Sequence, residues 1–364
     1  MKKIMFLCLI ILLGLLAGCT DMGMKDGQKR AVQGDSTSFL RAHFIDVGQA
    51  DATLLQIKHQ DELMTILIDT GDWNRSDALQ YLQKENIETI DLIAITHPHA
   101  DHIGQLSKII EAFDVGEVWM NGEIVNSQVF ADALTAIEQK GIDYYEPTAG
   151  DTFDVGDVAI EIIHPDGLSL NTNNNSIVMR LQYGDISFLF TGDAEKAAEE
   201  KMLAGDADLS ASILHLGHHG SNTSSTGNFL EAVRADTAIY SAGVNNSYGH
   251  PDAEIIERVK ARNMDVYGTD EMGTIVLETD GQNVQIMTEK DDALPAPLLD
   301  KKCIDLNTAS IDELQKLKHI GEKMANEVIT ARPFKSLDDL IHVKGIGESR
   351  LKEILDQNLA CVGG

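Results

Sequence analysis

The chain has 364 residues, long enough for one main domain of up to about 250 residues and a smaller second one. Its 43% hydrophobic and 24% charged content is globular and excludes collagenous and low-complexity classes, and 5% aromatics are too few for a broad stacking platform. The net charge is −29. Residues 301–364 hold ten Lys/Arg against ten Asp/Glu, so the first 300 residues carry the whole acidic excess and repel polyanions unless metal ions or local basic patches offset it.

The elements follow in chain order. Residues 1–18 read as a signal peptide, a basic "MKK" before an apolar run too short for a comfortable membrane span. That run ends in "LAGC", which resembles a lipoprotein box with Cys19 as the lipidated residue; an ordinary signal peptide or N-terminal anchor is the alternative. Residues 19–38 read as a flexible tether, which places the working part outside the cytoplasm at a membrane surface. Strands are expected in "FLRAHFIDVG", "ATLLQIK" and "MTILIDTG", then a helix in "SDALQYLQKEN" capped by Ser76. "IDLIAIT" is a buried strand that runs into "THPHADHIG", with the helix "IGQLSKIIEAF" behind it. Further strands are expected in "GEVWM", "VAIEIIHP", "SIVMRLQYG", "ISFLFTGD", "ASILHLG", "TAIYSAG" and "TIVLETD". The helices "AEKAAEEKML", "TGNFLEAVRA" and "DAEIIERVKAR" are interleaved, so residues 39–288 read as a layered α/β domain. A charged, Pro-containing linker, 289–302, leads to a small all-α segment at 303–361. Cys303 and Cys361 stand at its two ends and are natural disulfide partners in an oxidising compartment.

Four potential ligands lie within six residues of "THPHADHIG". His97 and His99, at a turn leaving a strand, can aim at one point, and Asp101 with His102 at a second. Paired metal ions about 3.5–4 Å apart are a known device for hydrolytic displacement. Imidazole and carboxylate ligands suit zinc, manganese or iron.

"HPHADH" resembles the His-x-His-x-Asp-His signature of the metallo-β-lactamase superfamily. Its surroundings are similar to the soluble domain of the ComEC family of competence proteins: "HFIDVGQADATLLQI", "LIDTGD", "NNNSIVMRLQYG", "FLFTGDAE", "LHLGHHGSNTSS" and "NSYGHP". Ala50 departs from that family's Gly-Gln-Gly-Asp turn and is expected to stiffen a loop. The family's transmembrane channel is absent, so DNA import by this chain alone is not expected.

The resemblance implies an αββα sandwich holding two divalent ions, Zn or Mn. His97 and His99 would bind the first ion, with His164 completing its shell, although a core or capping role for His164 is the alternative. Asp101 and His102 would bind the second, joined by His218 or its neighbour His219, and Asp193 would bridge the two. Asp101 would also orient the attacking water or hold its proton, and Asp69 would orient a ligand from behind. Ser221, Asn174 and His250 are candidates for the substrate cleft or plain turn residues.

The C-terminal segment resembles the helix-hairpin-helix DNA-binding domain of the ComEA family through "KHIGEK" and "VKGIGES". Gly321 and Gly345-Ile346-Gly347 would free backbone N–H groups for phosphate oxygens, with Lys318, Lys323, Lys344 and Arg350 alongside. His319 replaces the first turn's leading Gly, which puts that contact in question. Binding would be non-specific and salt-sensitive. Packing of the hairpins on themselves or on the catalytic domain is the alternative.

The expected function is a lipid-anchored, extracytoplasmic, metal-dependent DNA phosphodiesterase. Its expected partners are DNA, the membrane and a DNA-uptake system. The alternatives are a non-catalytic DNA-capture lipoprotein and a hydrolase of another phosphodiester, a lactone or a β-lactam.

Overall fold

The computed structural model describes residues 38–60, 62–295, 304–357 and 359–362. Cys19, the signal and tether residues before 38, and Cys303 lie outside the described residues. No helix among the described residues is long and apolar enough to cross a membrane.

Strands β1 (Ser38–Phe44), β2 (Thr53–His59), β3 (Glu62–Ile68), β4 (Thr89–Ala94), β5 (Asp114–Trp119) and β6 (Asp143–Tyr145) open the first sheet. β7 (Thr152–Val155), β8 (Val158–His164), β9 (Val178–Tyr183), β10 (Ile186–Phe190), β11 (Ile213–His215), β12 (Thr237–Tyr240) and β13 (Asp265–Gly268) form the second. The chain then returns to the first sheet as β14 (Ile275–Thr279) and β15 (Val284–Thr288). The sheet orders are β15-β14-β1-β2-β3-β4-β5-β6 and β13-β12-β11-β10-β9-β8-β7. In each, an antiparallel half adjoins a parallel half, β3 to β6 in one and β10 to β13 in the other.

Alternation along the strands builds three apolar layers. Leu55, Ile57, Ile66, Ile68, Phe188 and Phe190 point between the sheets. Their neighbours Leu54, Leu67 and Ile93 face outward onto helices α1 (Asp77–Lys84), α2 (Leu106–Ala112) and α3 (Gln128–Lys140). On the far side, Leu189, Leu214 and Ala238 pack with α4 (Lys196–Ala204), α5 (Gly227–Val233) and α6 (Ala253–Lys260); α7 (Thr269–Met272) is a single turn. The result is the expected αββα sandwich. A strand sandwiched between two apolar layers reads as a continuous apolar run, which is why β4 and β10 were legible.

Four details refine the expectations. Helix α3 was not foreseen, although Ser127 caps it and Gly141 ends it in a left-handed conformation. Strands β6, β7, β13 and β15 add to the expected set. Ser76 holds the N-cap position of α1 but makes no side-chain capping bond. Ala50 is buried among the α1–α3 layer without a left-handed φ, so the turn accepts it.

The C-terminal segment has its own core around Leu306, Leu314, Ala325, Leu340 and Ile354. It contains α8 (Ile311–Leu314), α9 (Glu322–Ala331), a 3-10 turn (Leu337–His342) and α10 (Glu348–Asp356). Two short strands, β16 (Ile304–Asp305) and β17 (Ala360–Cys361), pair in parallel and bring its ends together. Cys361 is disulfide-bonded.

Candidate metal centre and hairpin segment

The chemistry-bearing side chains sit on connections that leave the C-terminal ends of neighbouring strands. β3 runs into Asp69, β4 into Thr96–Gly104, β10 into Asp193, and β11 into Gly217–Gly220. Asp69, His218 and His219 all adopt left-handed φ (57°, 53° and 56°). Each such non-glycine residue costs about 1 kcal/mol or more and persists only where its surroundings fix it. Three at one place mark a functional site rather than a relaxed turn.

Asp193 divides the cluster. Its Oδ1 lies 3.3 Å from His102 Nε2 and 3.9 Å from His219 Nε2. Its Oδ2 lies 3.6 Å from His97 Nε2 and 3.7 Å from His218 Nε2. His99 Nδ1 is 3.0 Å from His97 Nε2, and Asp101 Oδ2 is 3.3 Å from His219 Nε2. One carboxylate thus faces two half-sites, one oxygen to each.

Each ring is held from behind. His102 Nδ1 donates to Asp69 Oδ2 at 2.8 Å, and Asp69 also accepts from the Thr96 N–H and hydroxyl, both at 2.8 Å. His219 Nδ1 donates to the Ser241 carbonyl at 3.0 Å. Since a carbonyl and a carboxylate can only accept, both rings turn Nε2 toward Asp193. His218 Nδ1 meets Thr223 Oγ1 at 3.0 Å and Glu195 Oε1 at 3.4 Å. Asp51 is also buried here: its Oδ2 lies 3.7 Å from His219 Nδ1 and 4.0 Å from His102 Nδ1, and its Oδ1 lies 3.5 Å from His215 Nε2 and makes no hydrogen bond among the described residues.

A divalent cation fits this donor set. His102 Nε2, His219 Nε2 and Asp193 Oδ1 are buried without a hydrogen-bond partner among the described residues, a condition that costs each group free energy unless something binds it. Asp51, His102, Asp193 and His219 converge, as do His97, His99 and Asp193. The buried His/Asp centre is therefore able to bind metal.

Replacing Asp69 with Asn removes the charge behind His102. Metal affinity, read by titration with a chelating indicator, is expected to fall about 10- to 100-fold while the fold persists.

Without cations, protons balance the carboxylates. Burial opposes a charge on His219, but Asp193 and Asp51 outweigh it and push its pKa up to about 9. Burial likewise opposes His102, and Asp193, Asp69 and Asp101 hold it well above the ordinary value. Burial pushes the Asp193 carboxyl up, yet His102 and His219 leave it well below the usual range. His97 is driven down by burial and by the charge on His102. A folded pKa raised from 6.5 to about 9 adds stability that is complete below pH 6.5 and lost as pH rises through 9. Melting scans of chelator-treated protein are expected to show the melting temperature falling across that window.

Three site expectations change. His164 does not reach the cluster: its Nε2 bonds the Asn174 carbonyl at 2.8 Å, a fixed core role. His218 faces the His97 half of Asp193, and the late histidine beside His102 and Asp101 is His219. Asn174 caps α4 by accepting from the Glu195 and Ala198 N–H groups, while its neighbour Asn173 lines the cleft with His250. Ser221 bonds Thr223, which holds His218. Asp51, Glu195 and Ser241 were not foreseen. Asp51 lies in the quoted "QAD" turn and was open to discovery there; Ser241 acts through its backbone and left no side-chain signal.

In the C-terminal segment, Gly321 and Gly347 are the N-caps of α9 and α10, with extended backbone and no side-chain capping bond. A Cβ at either would meet nothing within 4 Å, so neither turn needs its glycine to avoid a clash. Ile346 is buried beneath its turn. Gly345 has φ 101°, and a Cβ there would lie 2.8 Å from Met324 Cε. His319 takes a left-handed φ of 64°, so the first turn keeps a glycine-like shape despite its substitution. Gly321, Lys323, Lys344 and Gly345 line one cavity of about 570 Å³ that joins the two turns. Arg350 instead donates to the Gly345 carbonyl at 2.9 Å and braces the second turn.

The metallo-beta-lactamase superfamily model matches residues 45–244, and a helix-hairpin-helix motif model matches residues 300–357. The chain is 28% identical over 249 residues to ComE operon protein 3 of Bacillus subtilis, covering 64% of this chain and 32% of that protein. It thus spans about a third of that relative's length. A stretch of 73 residues is 44% identical to a deoxyribonuclease of Thioalkalivibrio, covering 20% of each chain. The solved structure of Igni18, a metallo hydrolase from Ignicoccus hospitalis, covers 65% of this chain and 98% of its own at 16% identity and a TM-score of 0.45. The chain belongs to the metallo-beta-lactamase superfamily, is homologous to competence proteins of the ComEC type, and carries a helix-hairpin-helix segment after its hydrolase fold.

Proposed function

We propose that the chain is an extracytoplasmic, lipid-anchored DNA phosphodiesterase whose hairpin segment holds the strand that the His/Asp centre cuts. One observation carries the reading: the same chain joins a divided His/Asp centre to a hairpin segment in which the α9 N-terminus at Gly321 and the second turn at Lys344-Gly345 line one cavity, with Lys323 beside Glu322 and Glu327. Such N-termini and lysines suit phosphate oxygens and are indifferent to base sequence. The competence and deoxyribonuclease relatives support the same substrate class, and a DNA-uptake system is the corresponding partner. The lipoprotein box at Cys19 supports the location.

His97, His99 and His218 with Asp193 Oδ2 would hold one ion, and Asp101, His102 and His219 with Asp193 Oδ1 the other. When bound, a pair of Zn or Mn ions supplies Lewis-acid stabilisation of phosphoryl charge and a nucleophile near neutral pH. The chain's own part is to fix the rings through Asp69, Ser241 and Thr223. Asp101 is partly open to the cleft, and His102 and His219 outweigh burial and hold its carboxyl below the usual range, so it is ionised and placed to orient a water.

The test is a nuclease assay on linear DNA with a Zn and Mn panel. Cleavage that disappears with chelator is expected; intact DNA at every loading would sink the proposal. A Lys323→Ala/Lys344→Ala variant is expected to lower the salt slope of DNA binding by about 2, one per lost phosphate contact. Filter binding across a salt series measures it.

A further inference from the structure

The cleft over the centre has a volume of about 300 Å³, and Gln49, His99, Asp193, His219, Tyr248 and His250 are among its lining residues. Most of that lining is polar and serves the centre. Tyr248 does not. It is 73% exposed, an unusual position for a large ring on a wall beside buried histidines.

Tyr248 lies nearly parallel to the His250 ring, with centroids 5.9 Å apart and an interplanar angle of 13°. His250 in turn meets His218 edge-on at 5.7 Å. An aromatic ladder therefore runs from solvent to the half-site that Asp193 shares with His97. The loop bearing it is stiff. Asn246 Oδ1 accepts from the N–H groups of Tyr248 and His250, both at 3.1 Å. Asn246 Nδ2 donates to the Gly243 carbonyl at 2.9 Å and to the His250 carbonyl at 2.5 Å. The Gly243 N–H donates to Gln49 Oε1 at 3.1 Å, which ties the loop to the opposite connection. One amide side chain thus clamps both ends of the loop and presents the ring at little entropic cost.

A clamped, exposed ring on the cleft wall, two ring contacts from His218, matches the face of a nucleobase. We infer that Tyr248, backed by His250, stacks the base next to the scissile phosphate and so selects strands whose bases are unpaired. This inference rests on the phosphodiesterase reading and narrows its substrate class. A base inside a duplex has both faces covered by its neighbours, so only a single strand or a frayed end offers one to Tyr248. Stacking on one aromatic ring is worth enough to change affinity about 5- to 150-fold.

The experiment uses the full chain, loaded with Mn, on two probes. One is a short single-stranded oligodeoxynucleotide; the other is the same strand with tetrahydrofuran residues replacing a run of its nucleosides. For the wild type, KM is expected to be at least about tenfold lower on the strand with bases. Tyr248→Ala is expected to erase that difference, with the loss falling on KM rather than kcat, and Tyr248→Phe to preserve it. Equal KM values for the wild type on the two probes would overturn the inference, as would undiminished discrimination by Tyr248→Ala. If the wild type cuts neither probe at any metal loading, the phosphodiesterase reading itself has failed.

Discussion

Asp193→Ala is expected to empty both halves of the centre at once. Each oxygen of this carboxylate faces two imidazole nitrogens, so no single remaining ligand replaces it on either side. Bound metal, measured by elemental analysis after gel filtration, should drop from about two equivalents to well below one, with hydrolysis down more than about 10³-fold. His102 and His219 would also lose their largest favourable charge partner. Breaking a buried ion pair costs about 3–5 kcal/mol, so the metal-free variant should melt lower than the metal-free parent. Asp193→Asn keeps the shape and isolates the effect of the charge. His164→Ala is the counterpart, since its ring bonds the Asn174 carbonyl and it should leave metal content unchanged. Loss of one equivalent in that variant would restore His164 as a ligand and refute the arrangement described above.

The second large effect is expected at Gly104, which closes the histidine loop. A Cβ there would lie 2.1 Å from the Trp73 nitrogen, 2.3 Å from the Ala100 carbonyl oxygen and 2.4 Å from that of Gly71. All three are backbone atoms, so no side chain can swing away. Gly104→Ala must displace the loop that carries His97 to His102, at a cost of about 3 kcal/mol or more. Melting temperature should fall by roughly 6–12 °C, and metal affinity should fall with it. Gly141→Ala makes the comparison: its φ is 66° but its Cβ position is open, so only the conformational penalty of about 1 kcal/mol applies. Equal destabilisation by the two changes would show that loop closure is not what Gly104 provides.

These two residues also show where sequence legibility ends. His97, His99, Asp101 and His102 were readable because dense ligands on a strand end have few other uses, and Asp193 only through the family resemblance of "FLFTGDAE". The roles of His218 and His219 were not, because consecutive left-handed residues aim adjacent rings at opposite oxygens of Asp193, a direction set by backbone torsion. His164 was a ligand candidate only through the resemblance, with a core role as its alternative, and it ends strand β8. The carbonyl that claims it belongs to a loop whose path no spacing predicts. Strands β4 and β10 announced themselves as apolar runs, whereas β6 and β7 lie toward the sheet edges, where exposed polar residues dilute the pattern. Helix α3 is marked in the sequence by its caps, Ser127 and Gly141.

The seam between the sheets has a mechanical consequence. Asp69, His97, His99, Asp101 and His102 follow strands of the first sheet, and Asp193, His218 and His219 follow strands of the second. Ions seated among them would rivet the open edge of the sandwich, much as a crosslink restrains two plates. Scarcity of metal would then weaken the hydrolase fold as well as silence it, and the apo chain would be the form most easily taken by proteases.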